Sequence, residues 1–174
     1  NFCPMIDRTA ELEKWLERDL SQQANAIANQ CHPDVLARAA AFLLLADSKS
    51  SYVIEGEQPP HTRIERWGRI LGEAGKHPLS LVHLENLQRI VLADDRFVTA
   101  GLRTEGGFIG QHDRRSGLPL PEHISAKAED LPKLMQGLLD AWQLLSESDY
   151  PPVLTAAALA FGFVFIHPYE DGNG

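Results

Sequence analysis

Apolar residues recur three and four positions apart along most of the chain, the spacing that lines one face of an α-helix. Leu12, Trp15 and Leu16 open the pattern. Val35, Leu36, Ala39, Phe42, Leu43 and Ala46 continue it through the alanine-rich stretch from Ala37 to Ala46. Pro33, directly after His32, suits the first turn of that helix, where a missing amide hydrogen costs no intrahelical bond. Pro59-Pro60 forbids a helix through that point, because each ring clashes with the preceding turn and neither residue can donate. A helix-loop-helix arrangement follows. It resumes with Ile64, Trp67, Ile70 and Leu71 inside Arg63 to Ala74, then with Leu81, Leu84, Leu87 and Val91 inside Leu79 to Ala93.

Between Thr99 and Glu122 the helical period is lost. Glycines fall at 101, 106, 107, 110 and 117, and Gly107-Phe108-Ile109 suits a short strand, so a hairpin or ordered loop is expected. Leu131 to Leu145 is again helical. Pro151-Pro152 opens a last helix, Val153 to Ile166, which is apolar on nearly every face and is expected to be central and buried. The pattern predicts a mainly α fold, a helical bundle with one short β-hairpin. It divides into an N-terminal helical region, 1–78, and a core, 79–174, with no repeat or linker to separate them from one compact unit.

At 174 residues and 19.3 kDa, with 44% apolar and 23% charged residues, the chain has the makeup of one ordinary globular domain. Sixteen basic against 24 acidic residues give a formal net charge of −8. That field repels nucleic-acid phosphates and anionic membranes, so neither is an expected partner, and any anion must be captured locally. Val153 to Ile166 falls short of the ~18 apolar residues a membrane span needs. Cys3 and Cys31 are too few for a disulfide framework and lack metal-site spacing, and Asn1 to Met5 has no secretory character. A reducing cytoplasm fits best.

The chemistry concentrates in His167-Pro168-Tyr169-Glu170-Asp171-Gly172-Asn173-Gly174, directly after the apolar helix. Pro168 disfavours helical geometry at His167, so the helix is expected to stop there and present the imidazole. Gly172 and Gly174 permit positive φ, which lets successive N–H groups curl around an anion, and Asn173 adds a neutral donor. Asp171 offers a hard oxygen to Mg²⁺, which would let an acidic protein hold a nucleotide. A chance match to this combination is on the order of one in a million from residue frequencies.

The segment resembles the signature of Fic-domain proteins, which reads His-Pro-Phe-x-Asp/Glu-Gly-Asn-Gly-Arg, with Tyr169 replacing the phenylalanine and Gly174 preceding the expected arginine. The core is thus expected to be truncated at its catalytic loop. The resemblance implies transfer of AMP from ATP to a Ser, Thr or Tyr hydroxyl of a target protein. In it His167 acts as the base, Asp171 holds Mg²⁺ on the phosphates, and Gly172, Asn173 and Gly174 line the anion pocket.

Two further stretches are similar to parts of the same family. Ser51-Tyr52-Val53-Ile54-Glu55-Gly56 resembles its inhibitory-helix motif, which implies that Ser51, Glu55 and Gly56 restrain the site from the N-terminal side, Glu55 by holding a catalytic-motif arginine away from the γ-phosphate. Leu102 to Gly110 resembles its flap, which implies that Gly107, Phe108, Ile109 and Gly110 dock an extended target segment by strand addition, with His123-Ile124-Ser125 as the return. The same pocket run in reverse would remove AMP from a modified protein, and a silent nucleotide- or peptide-binding module is the reading of a different class. A homo-oligomer is compatible with all three. His61, His77 and His83 lack partners at metal spacing, and His112-Asp113 beside Arg114-Arg115 reads as a solvated turn.

Overall fold

The structure is a computed structural model that describes residues 6–54, 61–92 and 99–173. The described residues form seven α-helices, one 3-10 turn and a two-stranded antiparallel sheet, the mainly α architecture that the spacing predicts. They group into two compact units, Asp7–Pro78 and a second formed mainly by the chain from Leu79 onward.

In the first unit, α1 (Ala10–Glu17) and α2 (Leu20–Ala28) are separate helices. Asp19 breaks them by adopting a left-handed conformation, φ 42°, and its carboxylate caps α2 by accepting from Gln22 N–H at 3.1 Å. The next helix, α3 (Pro33–Ile54), starts at the expected proline and runs well past Ala46. It packs on α4 (His61–Leu71), where Gly68 leaves room for Leu45 and the fully buried Ser48. The Ser48 hydroxyl donates to the Leu44 carbonyl at 2.6 Å, which satisfies it inside the contact.

The second unit opens with α5 (Leu81–Val91), capped by Ser80, whose hydroxyl accepts from His83 N–H at 3.1 Å. The hairpin β1 (Phe108–His112) and β2 (Pro119–Ile124) follows, then a 3-10 turn (Ala128–Asp130), α6 (Leu131–Ser146) and α7 (Pro152–Ile166). Leu131, Met135 and Leu138 on one face of α6 pack against Ile166 of α7. Fully burying a side chain of this size contributes about 1.5–3 kcal/mol, so these four anchor the end of α7 where the signature begins. Burial of α7 differs from expectation. Leu154, Ala158, Gly162 and Ile166 are buried, yet Phe161 is 70% and Phe165 56% exposed. Apolar composition on every face says that a helix can be enclosed, while α6 covers one face only. Among the described residues, no helix is long and apolar enough to cross a membrane.

The hairpin has a register shift between Ile109 and Gly110, with Ile109 opposite His123 and Gly110 opposite Pro121. Glu122 is left as the extra residue of a β-bulge. Gly110, φ +150°, is obligatory here: a Cβ would fall 2.3 Å from the Leu120 carbonyl oxygen. At the tip, Asp113 Oδ1 accepts from Arg115 N–H, Ser116 N–H and the Ser116 hydroxyl, and these bonds hold its carboxyl below the usual range. His112 to Arg115 is thus a turn organised by one aspartate.

Candidate active site

The last carbonyls of a helix have no partner within it and must find one elsewhere. At the end of α7 they find the cap residue and the hairpin with its flank. Phe163 C=O accepts from His167 N–H at 3.0 Å, Phe165 C=O from His123 Nε2–H at 2.8 Å, and Ile166 C=O from Ala126 N–H at 3.3 Å. Because a carbonyl only accepts, the bond to Phe165 places a proton on His123 Nε2. The His123 ring also packs on Phe165, centroids 4.6 Å apart. The hairpin is thereby anchored to the turn of helix that ends at His167.

His167 caps α7 in a left-handed conformation, φ 54°, ψ 63°. A non-glycine residue pays roughly 1–2 kcal/mol for that backbone, so neighbouring contacts must hold it. Arg103 supplies them. Its backbone N–H donates to Pro168 C=O at 3.0 Å and its Nε–H to His167 C=O at 2.8 Å, fixing two consecutive peptide planes. Its Nη1 donates to Glu105 C=O at 2.6 Å and its Nη2 to Ala126 C=O. The side chain is buried, and burial lowers its pKa from the usual 12.5.

The imidazole is half-buried, with Nδ1 enclosed. Burial pushes its pKa below 6.5; the Val164 carbonyl partly opposes that, and the positive potential of Arg103 and His123 adds to the lowering. The lowering favours the neutral ring, the form able to accept a proton.

After His167 the chain closes into a small loop. Asn173 is buried, and its amide clamps Tyr169 from both sides: Oδ1 accepts from Tyr169 N–H and Nδ2 donates to Tyr169 C=O, each at 2.9 Å. The Asn173 side chain thus builds the loop. Gly172 takes φ +80°, and its N–H donates to Asp171 Oδ1 at 2.6 Å. Buried Gln88 of α5 spans the floor, donating to Asp171 C=O at 3.0 Å and accepting from Gly101 N–H at 2.7 Å. Tyr169 is 2% exposed and sits edge-on to Phe163, centroids 5.7 Å apart. Its hydroxyl is buried without a partner, and its pKa is pushed up to about 12 by burial, with Glu85 adding to the rise.

Among the described residues no group of three or more His, Cys, Asp or Glu could hold a metal ion. That is compatible with Mg²⁺, which typically takes one or two carboxylates and fills its shell with substrate phosphates and water. Asp171 has Oδ2 to offer while Oδ1 accepts from Gly172, so one protein ligand fits.

The structure brings together His167, Asp171, Gly172 and Asn173 in one loop beside the hairpin that carries Gly107, Phe108, Ile109 and Gly110. Ser51 lies on α3, in the other unit; Glu55, Gly56 and Gly174 lie outside the described residues. Sequence reasoning missed Arg103 and Gln88 as functional residues and gave His123 only as part of the hairpin's return. Arg103 and Gln88 meet backbone groups at these contacts, which leave no residue-type signature, and for His123 the one signal was its place in the hairpin's return.

A model of the Fic/DOC family matches residues 78–174. The chain is similar to the crystal structure of a Fic-domain-containing signalling protein from Bacteroides thetaiotaomicron VPI-5482, with TM-score 0.61 and 21% identity over 83% of this chain and 62% of that one. It is also similar to a Fic family protein from Desulfovibrio desulfuricans G20, with TM-score 0.65 and 17% identity over 99% of this chain and 56% of that one. It therefore spans less than two thirds of either relative. No curated protein matches the chain.

Proposed function

The chain belongs to the Fic/DOC family, and on that premise we propose that it is a protein adenylyltransferase moving AMP from Mg-ATP onto a Ser, Thr or Tyr hydroxyl of a target protein, with Glu55 as its built-in inhibitor. The observation that carries this reading is His167: a half-buried imidazole of lowered pKa, locked at a helix end directly before a glycine-bearing loop.

In the proposed reaction the target hydroxyl oxygen forms a bond to the α-phosphorus as the bond to pyrophosphate breaks in line. The hydroxyl proton passes to His167. With Nδ1 enclosed, Nε2 is the nitrogen left to receive it. Asp171 and the substrate phosphates would hold Mg²⁺, whose charge offsets that of the phosphates. The positive φ of Gly172, which lets the loop curl, supports phosphate binding by backbone amides of this loop. An extended target segment would pair with the hairpin and bring its hydroxyl to the imidazole, so that positioning supplies much of the rate. Restraint by Ser51, Glu55 and Gly56 rests on their motif, and a protein partner, a nucleotide and a cytoplasmic setting complete the reading.

Full-length protein incubated with labelled ATP and Mg²⁺ tests it, beside Glu55→Gly and His167→Ala variants. Label on protein in the Glu55→Gly sample, and none with His167→Ala, supports transfer. Nucleotide binding without label in any sample overturns it in favour of a silent module, and release of AMP from a premodified protein overturns it in favour of the reverse reaction.

A further inference from the structure

We propose that Arg103 is a positioning residue that ties the hairpin to the imidazole, so that the orientation of His167 follows the seating of the hairpin. This rests on His167 being the base. Three features carry it. First, one guanidinium, on a residue 7% exposed, reaches three backbone carbonyls at once: His167, Glu105 before β1 and Ala126 after β2. Second, the Arg103 backbone N–H takes the next carbonyl, Pro168, so both peptide planes that follow His167 are set by one residue. Third, His167 holds a left-handed backbone that it would not choose, so its side-chain direction depends on those bonds.

No carboxylate pairs with Arg103 in these contacts; its charge is met by three carbonyls, one of them, His167 C=O, at the C-terminal end of α7, the negative end of the helix dipole. The guanidinium is planar and its donors diverge in a fixed fork, so a tilt of either hairpin flank moves the plane and with it the His167 carbonyl. A lysine carries the same charge on a flexible stem and cannot span three carbonyls in that geometry. Gln88 ties the far side of the loop to Gly101 but makes no bond to the hairpin flanks, and His123 and Ala126 hold the hairpin to Phe165 and Ile166 of α7; of these four residues, Arg103 is the one that reaches the carbonyl of His167 itself.

The test combines a measurement on the wild type with two variants of the full-length protein. In the wild type, the Arg103 Nε–H is expected to exchange with solvent about tenfold or more slowly than those of Arg114 and Arg115 on the exposed hairpin turn. Arg103→Lys and Arg103→Met are each expected to move the ring resonances of isotope-labelled His167, whereas Lys133→Gln on α6 leaves them in place. In a Glu55→Gly background, Arg103→Lys is expected to lower kcat for protein labelling about tenfold or more while KM for Mg-ATP stays within about threefold. Fast exchange at Arg103 in the wild type overturns the proposal. So does a folded Arg103→Lys variant with unmoved His167 resonances and unchanged kcat. Absence of label even with Arg103 intact would instead count against the transferase reading, and the exchange and resonance measurements would still decide whether the tie exists.

Discussion

Replacing Tyr169 with phenylalanine removes one oxygen from the most enclosed side chain of the catalytic loop and is expected to stabilise the protein. The hydroxyl is buried and unpartnered, and a buried polar group without a hydrogen bond costs about 1–3 kcal/mol. The vacated space, on the order of 10–15 Å³, returns only about 0.3 kcal/mol at ~24 cal/mol per Å³. The edge-on contact of the ring with Phe163 and both backbone bonds to Asn173 stay as they are. The net gain is about 1–2.5 kcal/mol, which for a chain of this length raises Tm by about 2–10 °C. Calorimetry on wild type and Tyr169→Phe reads the difference directly. A difference titration between the two proteins isolates Tyr169, whose ionisation is expected at about pH 12. A variant less stable than wild type by about 1 kcal/mol, or a phenol that ionises at the ordinary 10.0, would refute the reasoning by showing that the hydroxyl has a partner or reaches solvent.

Asn173→Ala leaves the buried N–H and C=O of Tyr169 unsatisfied together, an expected loss of about 2–5 kcal/mol by denaturant unfolding, with loss of nucleotide-dependent labelling. Gly110→Ala drives a methyl into the Leu120 carbonyl; amide exchange across Ile109 and His123 is expected to accelerate, and target labelling to fall while Mg-ATP binding is retained. The pH profile follows from His167. A base must be neutral, and burial lowers its pKa, so kcat of the Glu55→Gly protein is expected to be full at pH 7 and to fall on acidification with a midpoint below 6.5. A midpoint above 6.5 would show the ring to be stabilised in its charged form.

Much of this was legible from residue order. Pro168 marks the end of α7 because it restricts its predecessor sterically, and the structure ends the helix at Ile166. The lost period and glycines after Thr99 mark a hairpin, since strands and turns obey local rules. What the order could not carry were contacts made to backbone. A buried arginine whose three side-chain partners are carbonyls looks, in sequence, like any surface arginine. The left-handed turn at Asp19 was equally hidden, because aspartate tolerates that conformation without requiring it. Asn173 was legible as a polar loop residue, but whether its amide meets a ligand or its own chain is decided by loop closure.

The two strands of the hairpin are unequal neighbours for a third. Pro119 and Pro121 have no amide hydrogen to offer, and the bulge at Glu122 breaks the spacing between them and Ile124. That rim is blunted against indiscriminate stacking, the hazard of every small exposed sheet. The five residues of β1 contain no proline, so its backbone keeps every amide donor where β2 lacks two, and strand addition of the kind proposed above would favour the β1 rim.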